Sequence, residues 1–328
     1  AAWAQLTDTQ KAVVGPALRA VGAINIAGAD PTHLPRALLA FWDAPAGTGK
    51  TFCLNCLIDA ARAEGKIVLA VASTGIAAVQ LHRGRTFHSR FHAGIRYEDG
   101  PFPVPARSPS FDLLREAHLI VWDEAPFMDK KLLDGLDITL RDICQSELPF
   151  AGKCVVLAGD FRQVLPVVKR ATPAGVVNRS MRKATIWPEF VIFHLTVNMR
   201  VLHNHPNDAT ATLFAEWLLN MGTGLLPAVG ARDPTQPFHA EVELSPHVAC
   251  SDSLDALTAF VFHGLNPDAE APPQFDTLGT LLTPLNETVS MLNAAVFARF
   301  PGQAVHVYSA DILDPACELD VPIEMLNA

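Results

Sequence analysis

The run Ala44-Pro-Ala-Gly-Thr-Gly-Lys50-Thr51 decides the fold. Before it, Leu38 to Asp43 is apolar up to its last residue and reads as a buried strand, and after it Thr51 to Glu64 has the spacing of a helix. Strand, glycine turn and helix form the context that a phosphate loop requires. Gly47 and Gly49 let the backbone curl, so that the N–H groups from Ala46 through Thr48 to Gly49 point at phosphate oxygens beside the positive end of the helix dipole. Lys50 is expected to reach the outer phosphates and the Thr51 hydroxyl to hold magnesium. Ala44 stands where the usual pattern opens on glycine, a departure that leaves the rest intact.

Outward from this loop, Ile67 to Ala72 reads as a second strand and Gly75 to Leu81 as a short helix. Leu119 to Trp122 and Cys154 to Ala158 are further apolar strands, separated by the helical pattern Lys130 to Gln145. Strands alternating with helices predict an α/β fold, a P-loop NTPase with a parallel sheet flanked by helices. Upstream, Leu6 to Ile24 has helical spacing, with Thr7 or Asp8 as N-cap and a kink at Pro16, and a loop follows to Pro35. Gly100 to Pro109 holds four prolines and is expected to be a loop or small hairpin, within an insertion of about 94–110.

After Arg200 the composition changes. A helix from Asn207 to Met221 leads into a Gly/Pro-rich loop reaching about Pro246. The succession Ser253–His263, Leu278–Leu282, Asn286–Arg299 and Ala304–Tyr308 then reads as helix, strand, helix, strand, a second α/β unit. The expected domains are 1–195 and 196–328.

Bulk properties fit two soluble domains: 328 residues, 49% of them apolar. The longest uncharged apolar stretch, Ile67 to His82, is too short for a membrane span, and no secretory leader is expected. Six cysteines at 53, 56, 144, 154, 250 and 317 make no zinc or disulfide framework, so Cys53 and Cys56 are read as packing residues. A net charge of −9 lacks the footprint of a protein that binds nucleic acid through bulk charge, so any DNA contact must be local.

Leu119-Ile-Val-Trp-Asp123-Glu124 puts two carboxylates at the end of an apolar strand, where ligands meet a parallel sheet. Asp123 suits a magnesium ligand and Glu124 a base for water, although such a pair alone can also cap a helix. Gly159-Asp160-Phe-Arg162-Gln163 brings polar groups to the same edge, with Gln163 the candidate to sense the γ phosphate. Read alone it could equally be a polar loop. Arg200, in Asn198-Met-Arg200, could neutralise charge in the transition state.

The order of these motifs resembles the PIF-type (petite integration frequency) DNA helicases of superfamily one. The matching residues are the phosphate loop, Ala72-Ser-Thr-Gly75-Ile-Ala-Ala with Gly84-Arg-Thr-Phe-His88-Ser89, Asp123-Glu-Ala-Pro-Phe-Met128, and Gly159 to Gln163. Further matches are Leu195–Arg200, Phe214–Leu219, Leu282–Glu287 and Pro322–Asn327. The resemblance implies an ATP- and magnesium-driven motor with RecA-like domains that moves 5′ to 3′ on single-stranded DNA and DNA junctions. Genome maintenance, DNA repair or recombination, telomere maintenance, or a mobile element would be its setting, in the nucleus or mitochondrion. It also implies that Gln10 reads the adenine and that Thr74, Gly75, Arg85, Thr86, His88 and Ser89 grip the DNA backbone. Arg83, Arg85, Arg90 and Arg96, with Phe87 and Phe91 among them, form a local basic stripe suited to that task. A zinc pair at His88 and His92 is disfavoured for want of further ligands.

The family's later glycine-rich segment and second arginine finger are missing after Asn327, so the expectation is a fragment with an incomplete second RecA-like domain. Two rivals remain: a P-loop ATPase or kinase that does not act on DNA, which the net charge favours, and a catalytically silent DNA- or partner-binding remnant.

Overall fold

The computed structural model describes residues 2–22, 37–94, 97, 99–163, 166–168, 171–229, 241–244, 248, 251, 253–263, 265, 279–283, 285–303 and 305. Two compact units divide the chain, Ala1–Ser245 and Pro246–Ala328. In the first, six strands form one sheet in the order β3-β2-β4-β5-β1-β6. They are β1 Leu39–Asp43, β2 Val68–Ala72, β3 Arg85–Thr86, β4 Leu119–Asp123, β5 Cys154–Gly159 and β6 Val191–His194. All pairings are parallel, and the register sets Asp43 opposite both Gly159 and His194, and Ala72 opposite both Thr86 and Asp123. The carboxyl ends of the strands therefore share one edge.

Every residue of β1, β2, β4 and β5 is buried. A sheet covered on both faces needs no alternation of polarity, so these strands read as continuous apolar runs. Ala40, Trp42, Ala70, Val121 and Val156 pack with α2 (Asp8–Ala20) and α3 (Lys50–Ala63). Phe41, Leu69, Ile120 and Leu157 pack with α5 (Phe87–Phe91), α6 (Pro109–Glu116) and α7 (Lys130–Cys144). Each fully buried Leu, Ile, Val or Phe stabilises this sandwich by about 1.5–3 kcal/mol relative to exposure. The remaining α-helices among the described residues of the unit are α1 (Ala2–Gln5), α4 (Gly75–Gln80), α8 (Pro173–Arg179), α9 (Met199–Asn204) and α10 (Ala209–Thr223). The second unit contributes α11 (Leu254–Val261) and α12 (Asn286–Phe297).

Local chemistry sets the helix boundaries. Thr7 caps α2 in a capping box with Gln10, each side chain accepting the other's backbone N–H. Pro16 lies inside α2 without ending it, because burial of Val13, Val14, Ala17 and Leu18 holds the helix to the core. Ser108 caps α6, whose first residue is Pro109, so the last of the four prolines starts a helix where its missing N–H costs nothing.

The proline-rich segment forms no hairpin: 101–105 is irregular and is anchored by buried Phe102, whose N–H donates to Thr139 Oγ1 at 2.7 Å. The expected strand Leu278–Leu282 is absent over 279–283, where Leu282 is 92% exposed and has no strand beside it among the described residues. Leu278 itself, Ala304–Tyr308 apart from Val305, Pro322–Asn327, Arg96, Cys250 and Cys317 lie outside the described residues. Cys53, Cys56 and Cys154 are buried free thiols, as packing residues should be. Among the described residues no helix is long and apolar enough to cross a membrane.

Candidate functional site

Gly47 and Gly49 both adopt left-handed backbone, with φ of +88° and +81°. A side chain would resist that conformation, and a Cβ at Gly47 would fall 2.5 Å from Asn198 Oδ1. Thr48 Oγ1 closes the turn by donating to the Pro45 carbonyl at 2.8 Å. Gly49 caps α3 without a side chain, so the first amides of the helix face the loop. Lys50 and Thr51 stand in that first turn. The Lys50 ammonium donates to Asp123 Oδ1 and, at 2.6 Å, to Glu124 Oε1.

Asp123 ends β4, is 1% exposed, and also accepts Glu124 N–H at 2.8 Å. Glu124 has φ +54°, a left-handed conformation that costs a non-glycine residue on the order of 1–3 kcal/mol and concentrates at functional sites. Its Oε2 is buried with no hydrogen-bond partner among the described residues. Buried carboxylate oxygens are rarely left so, and this one is available to a ligand. Left-handed glycines, an ammonium, a hydroxyl and an all-oxygen acid pair with one orphaned atom fit a magnesium-bound triphosphate.

Gln10 is 4% exposed and sits against the same loop, where its Nε2 donates to the Thr48 carbonyl at 3.2 Å and its Oε1 accepts Thr7 N–H at 3.0 Å. Its amide nitrogen therefore ties α2 to the phosphate loop, while its oxygen closes the capping box of α2 itself. Gln163 and Arg200 are exposed side chains that line, with Ala46, Thr48 and Phe214, a cleft of about 670 Å³. That volume lies within the range of small-molecule sites. Arg200 N–H donates to the Gly47 carbonyl at 3.0 Å, and Asn198 caps α9 by accepting Val201 N–H at 3.1 Å, so α9 starts against the phosphate loop.

A second cluster at this edge was not anticipated from the sequence. Arg162 Nη2 donates to Asp43 Oδ1 at 2.6 Å and its Nε to Asp160 Oδ1 at 2.6 Å. His194 Nδ1 lies 3.0 Å from Asp43 Oδ2. Strands β1 and β6 and the loop after β5 are thus tied by polar side-chain contacts directly beside the phosphate loop. The available signal was Asp43, a charged residue ending an otherwise apolar strand; its partner lies 119 residues away.

The residues expected to grip DNA occupy neighbouring ends of β2 and β3. Thr74 caps α4 by accepting Ala77 N–H at 3.2 Å, and Gly75 is exposed with open space where a Cβ would stand. Thr86 stands at the N-cap position of α5 without a side-chain capping bond, Arg85 and Ser89 are exposed, and His88 Nδ1 lies 2.9 Å from the Ala93 carbonyl. His92 Nε2 instead meets Ser110 Oγ at 3.0 Å. Arg90 departs from the surface stripe: it is half-buried, its Nε is buried without a partner among the described residues, and burial followed by the nearby Arg85 and Arg62 lowers its pKa. Ser73 and Trp122, given no role in the sequence reading, hydrogen-bond at 3.0 Å beside the acid pair.

The family model described as PIF1-like helicase matches residues 24–232. The ATP-dependent DNA helicase PIF1 of Trypanosoma brucei brucei is 29% identical over 263 residues, 79% of this chain and 22% of that protein. The ATP-dependent DNA helicase Pif1 of Psychrobacter sp. is 34% identical over 180 residues, 53% of this chain and 27% of that protein. The chain thus spans about a quarter of the length of these curated relatives. Two solved structures share the fold. Bacteroides Pif1 bound to single-stranded DNA superposes with a TM-score of 0.51 at 24% identity, covering 68% of this chain and 47% of that one. Bacteroides Pif1 in complex with ADP-AlF3 and single-stranded DNA gives 0.55 at 20% identity, covering 86% and 58%. With its family model matched across more than half of its residues, the chain belongs to the PIF1-like helicase family.

Proposed function

We propose that this chain carries the ATP-driven motor of a DNA helicase, coupling hydrolysis to 5′-to-3′ movement along single-stranded DNA. The observation that carries the reading is the Lys50 ammonium held by Asp123 and Glu124 at the sheet edge that bears the left-handed Gly47 and Gly49. In this reading residues 1–195 form the first RecA-like motor domain and 196–328 belong to the second. Its DNA partners are single strands and junctions, and its setting is genome maintenance, repair or recombination, or a mobile element, in the nucleus or mitochondrion.

The backbone amides of 46–49 cradle the phosphates, and Lys50 turns from its carboxylates to the outer phosphate oxygens. Thr51 and Asp123 would hold a magnesium ion, which supplies charge neutralisation to the transferring phosphoryl group. Glu124 orients and deprotonates the attacking water, Gln163 contacts the terminal phosphate, and Arg200 reaches across the cleft to offset developing charge. Gln10 borders the base end of the site through Thr48. Thr74, Gly75, Arg85, Thr86, His88 and Ser89 hold the DNA backbone, and exposed Arg83 and Arg85 supply the salt-sensitive contacts that a chain of net charge −9 offers few of elsewhere.

Calorimetric titration with magnesium ATP tests the reading. Lys50→Ala is expected to abolish the binding heat of the parent chain, and undiminished affinity in that variant would refute the phosphate-loop assignment. Anisotropy titration of a labelled single strand tests the DNA half: Arg83→Glu with Arg85→Glu should weaken binding at least tenfold and flatten its salt dependence.

A further inference from the structure

The two segments assigned to DNA converge on one indole. Trp122 lies fully buried in β4, immediately before Asp123. One face of its ring stacks on Phe87, with centroids 4.0 Å apart and planes 25° apart, and Phe87 sits between Thr86 and His88. The indole N–H donates to Ser73 Oγ at 3.0 Å. Ser73 Oγ in turn donates to the Glu124 carbonyl at 2.6 Å, and Ser73 N–H donates to the Asp123 carbonyl at 3.1 Å. Ser73 immediately precedes Thr74 and Gly75.

A hydroxyl has one proton to give. Ser73 gives it to Glu124 and accepts a hydrogen bond from Trp122, so the chain of bonds is directional and each of its protons is used. Its last member is the residue whose left-handed φ requires external support. Displacement of the α4 segment moves Ser73, and displacement of the α5 segment moves Phe87 against Trp122. Either motion has to shift the backbone of the acid pair or break one of these contacts.

We propose that Ser73 and Trp122 are positioning residues that couple DNA on the α4 and α5 segments to the placement of Glu124. The inference rests on the DNA-motor reading above. Coupling of this kind is reciprocal: if DNA biases the acid pair, a nucleotide at the acid pair alters DNA affinity by the same factor.

The test is a labelled oligothymidylate titrated by anisotropy with and without magnesium and a non-hydrolysable ATP analogue. In the parent chain the analogue should shift the DNA dissociation constant about tenfold, within the usual range for coupled sites. Trp122→Phe keeps a ring on Phe87 and loses only the N–H donor, and Ser73→Ala loses one oxygen. In both the shift should fall below about twofold, while DNA affinity without nucleotide and nucleotide affinity without DNA stay near the parent values. Either folded variant decides the matter, because a merely structural role would move the separate affinities rather than their coupling. A full shift retained in a folded variant overturns the proposal. A parent chain that binds both ligands without any shift overturns it while leaving the DNA-motor reading intact, whereas failure to bind either ligand overturns both.

Discussion

Two cation-carboxylate clusters stand side by side on the same sheet edge, and they are finished differently. In the Arg162 cluster every carboxylate oxygen is engaged: Asp43 Oδ1 and Oδ2 by the guanidinium and His194, Asp160 Oδ1 by Arg162 Nε and N–H, and Asp160 Oδ2 by Gln163 at 3.5 Å. In the Lys50 cluster Glu124 Oε2 is buried and unpartnered among the described residues, and the residue carrying it has left-handed backbone. Saturation belongs to a structural tie, since each engaged lone pair offsets its desolvation. An orphaned oxygen on a strained residue belongs to a site that acts on something else.

The largest effect is expected from neutralising the open cluster. Glu124→Gln keeps the shape and removes the carboxylate proposed as the base, so nucleotide binding should survive while steady-state ATP turnover falls about 10²- to 10⁴-fold. Turnover within a few-fold of the parent would mean that the orphaned oxygen is not the reacting group.

Removing the closed cluster's cation should act on stability instead. Arg162→Ala leaves Asp43 and Asp160 facing each other with side chains only 12% and 7% exposed. Loss of one partner of a buried pair costs on the order of 3 kcal/mol, here toward the low end because the arginine itself is 22% exposed. Urea denaturation should show a lowered midpoint with an unchanged slope. Arg162→Lys should recover only part of it, because a point charge cannot reproduce the fork that spans both carboxylates.

The open cluster was legible in the sequence and the closed one was not, for a physical reason. Lys50, Thr51, Asp123 and Glu124 are marked by short-range order: glycines beside a lysine, and acids at the end of an apolar run. Arg162 and Asp43 meet only because β1 and β5 are neighbours, a fact that strand order determines and local pattern does not. The same limit explains the Leu278–Leu282 reading, since an apolar run signals a strand only where another strand lies beside it. Two-residue β3 and five-residue α5 are too short to leave a period at all.

Both clusters are backed by the same dry core, which a pH series can sharpen. Cys53 on α3 and Cys154 at the start of β5 have thiols pushed up to about 12, burial being the largest cause in each. The folded chain keeps these protons while the unfolded chain releases them near the ordinary value of 9.0. Their contribution to stability is therefore complete below pH 9 and lost as pH rises toward 12. Urea midpoints measured from pH 8 to 11 should fall, and Cys154→Ala should fall less steeply. Equal slopes in the two proteins would remove that thiol from the account.

The smallest expected effect separates the members of the closed cluster. His194 reaches Asp43 Oδ2 at 3.0 Å, but its side chain is 61% exposed, and Arg162 already holds the other oxygen of Asp43 at 2.6 Å. Water can take the place of the imidazole, so His194→Ala should cost under about 1 kcal/mol, as exposed pairs do. In the Arg162→Ala background the same substitution should cost more, because Asp43 would then lose its last side-chain partner among the described residues. Residues that share a partner are not additive, and the double-mutant cycle measures the difference directly. A loss from His194→Ala equal to that from Arg162→Ala would mean that the imidazole closes the cluster, and the contrast between a saturated tie and an open site would then rest on β6 rather than on the loop after β5.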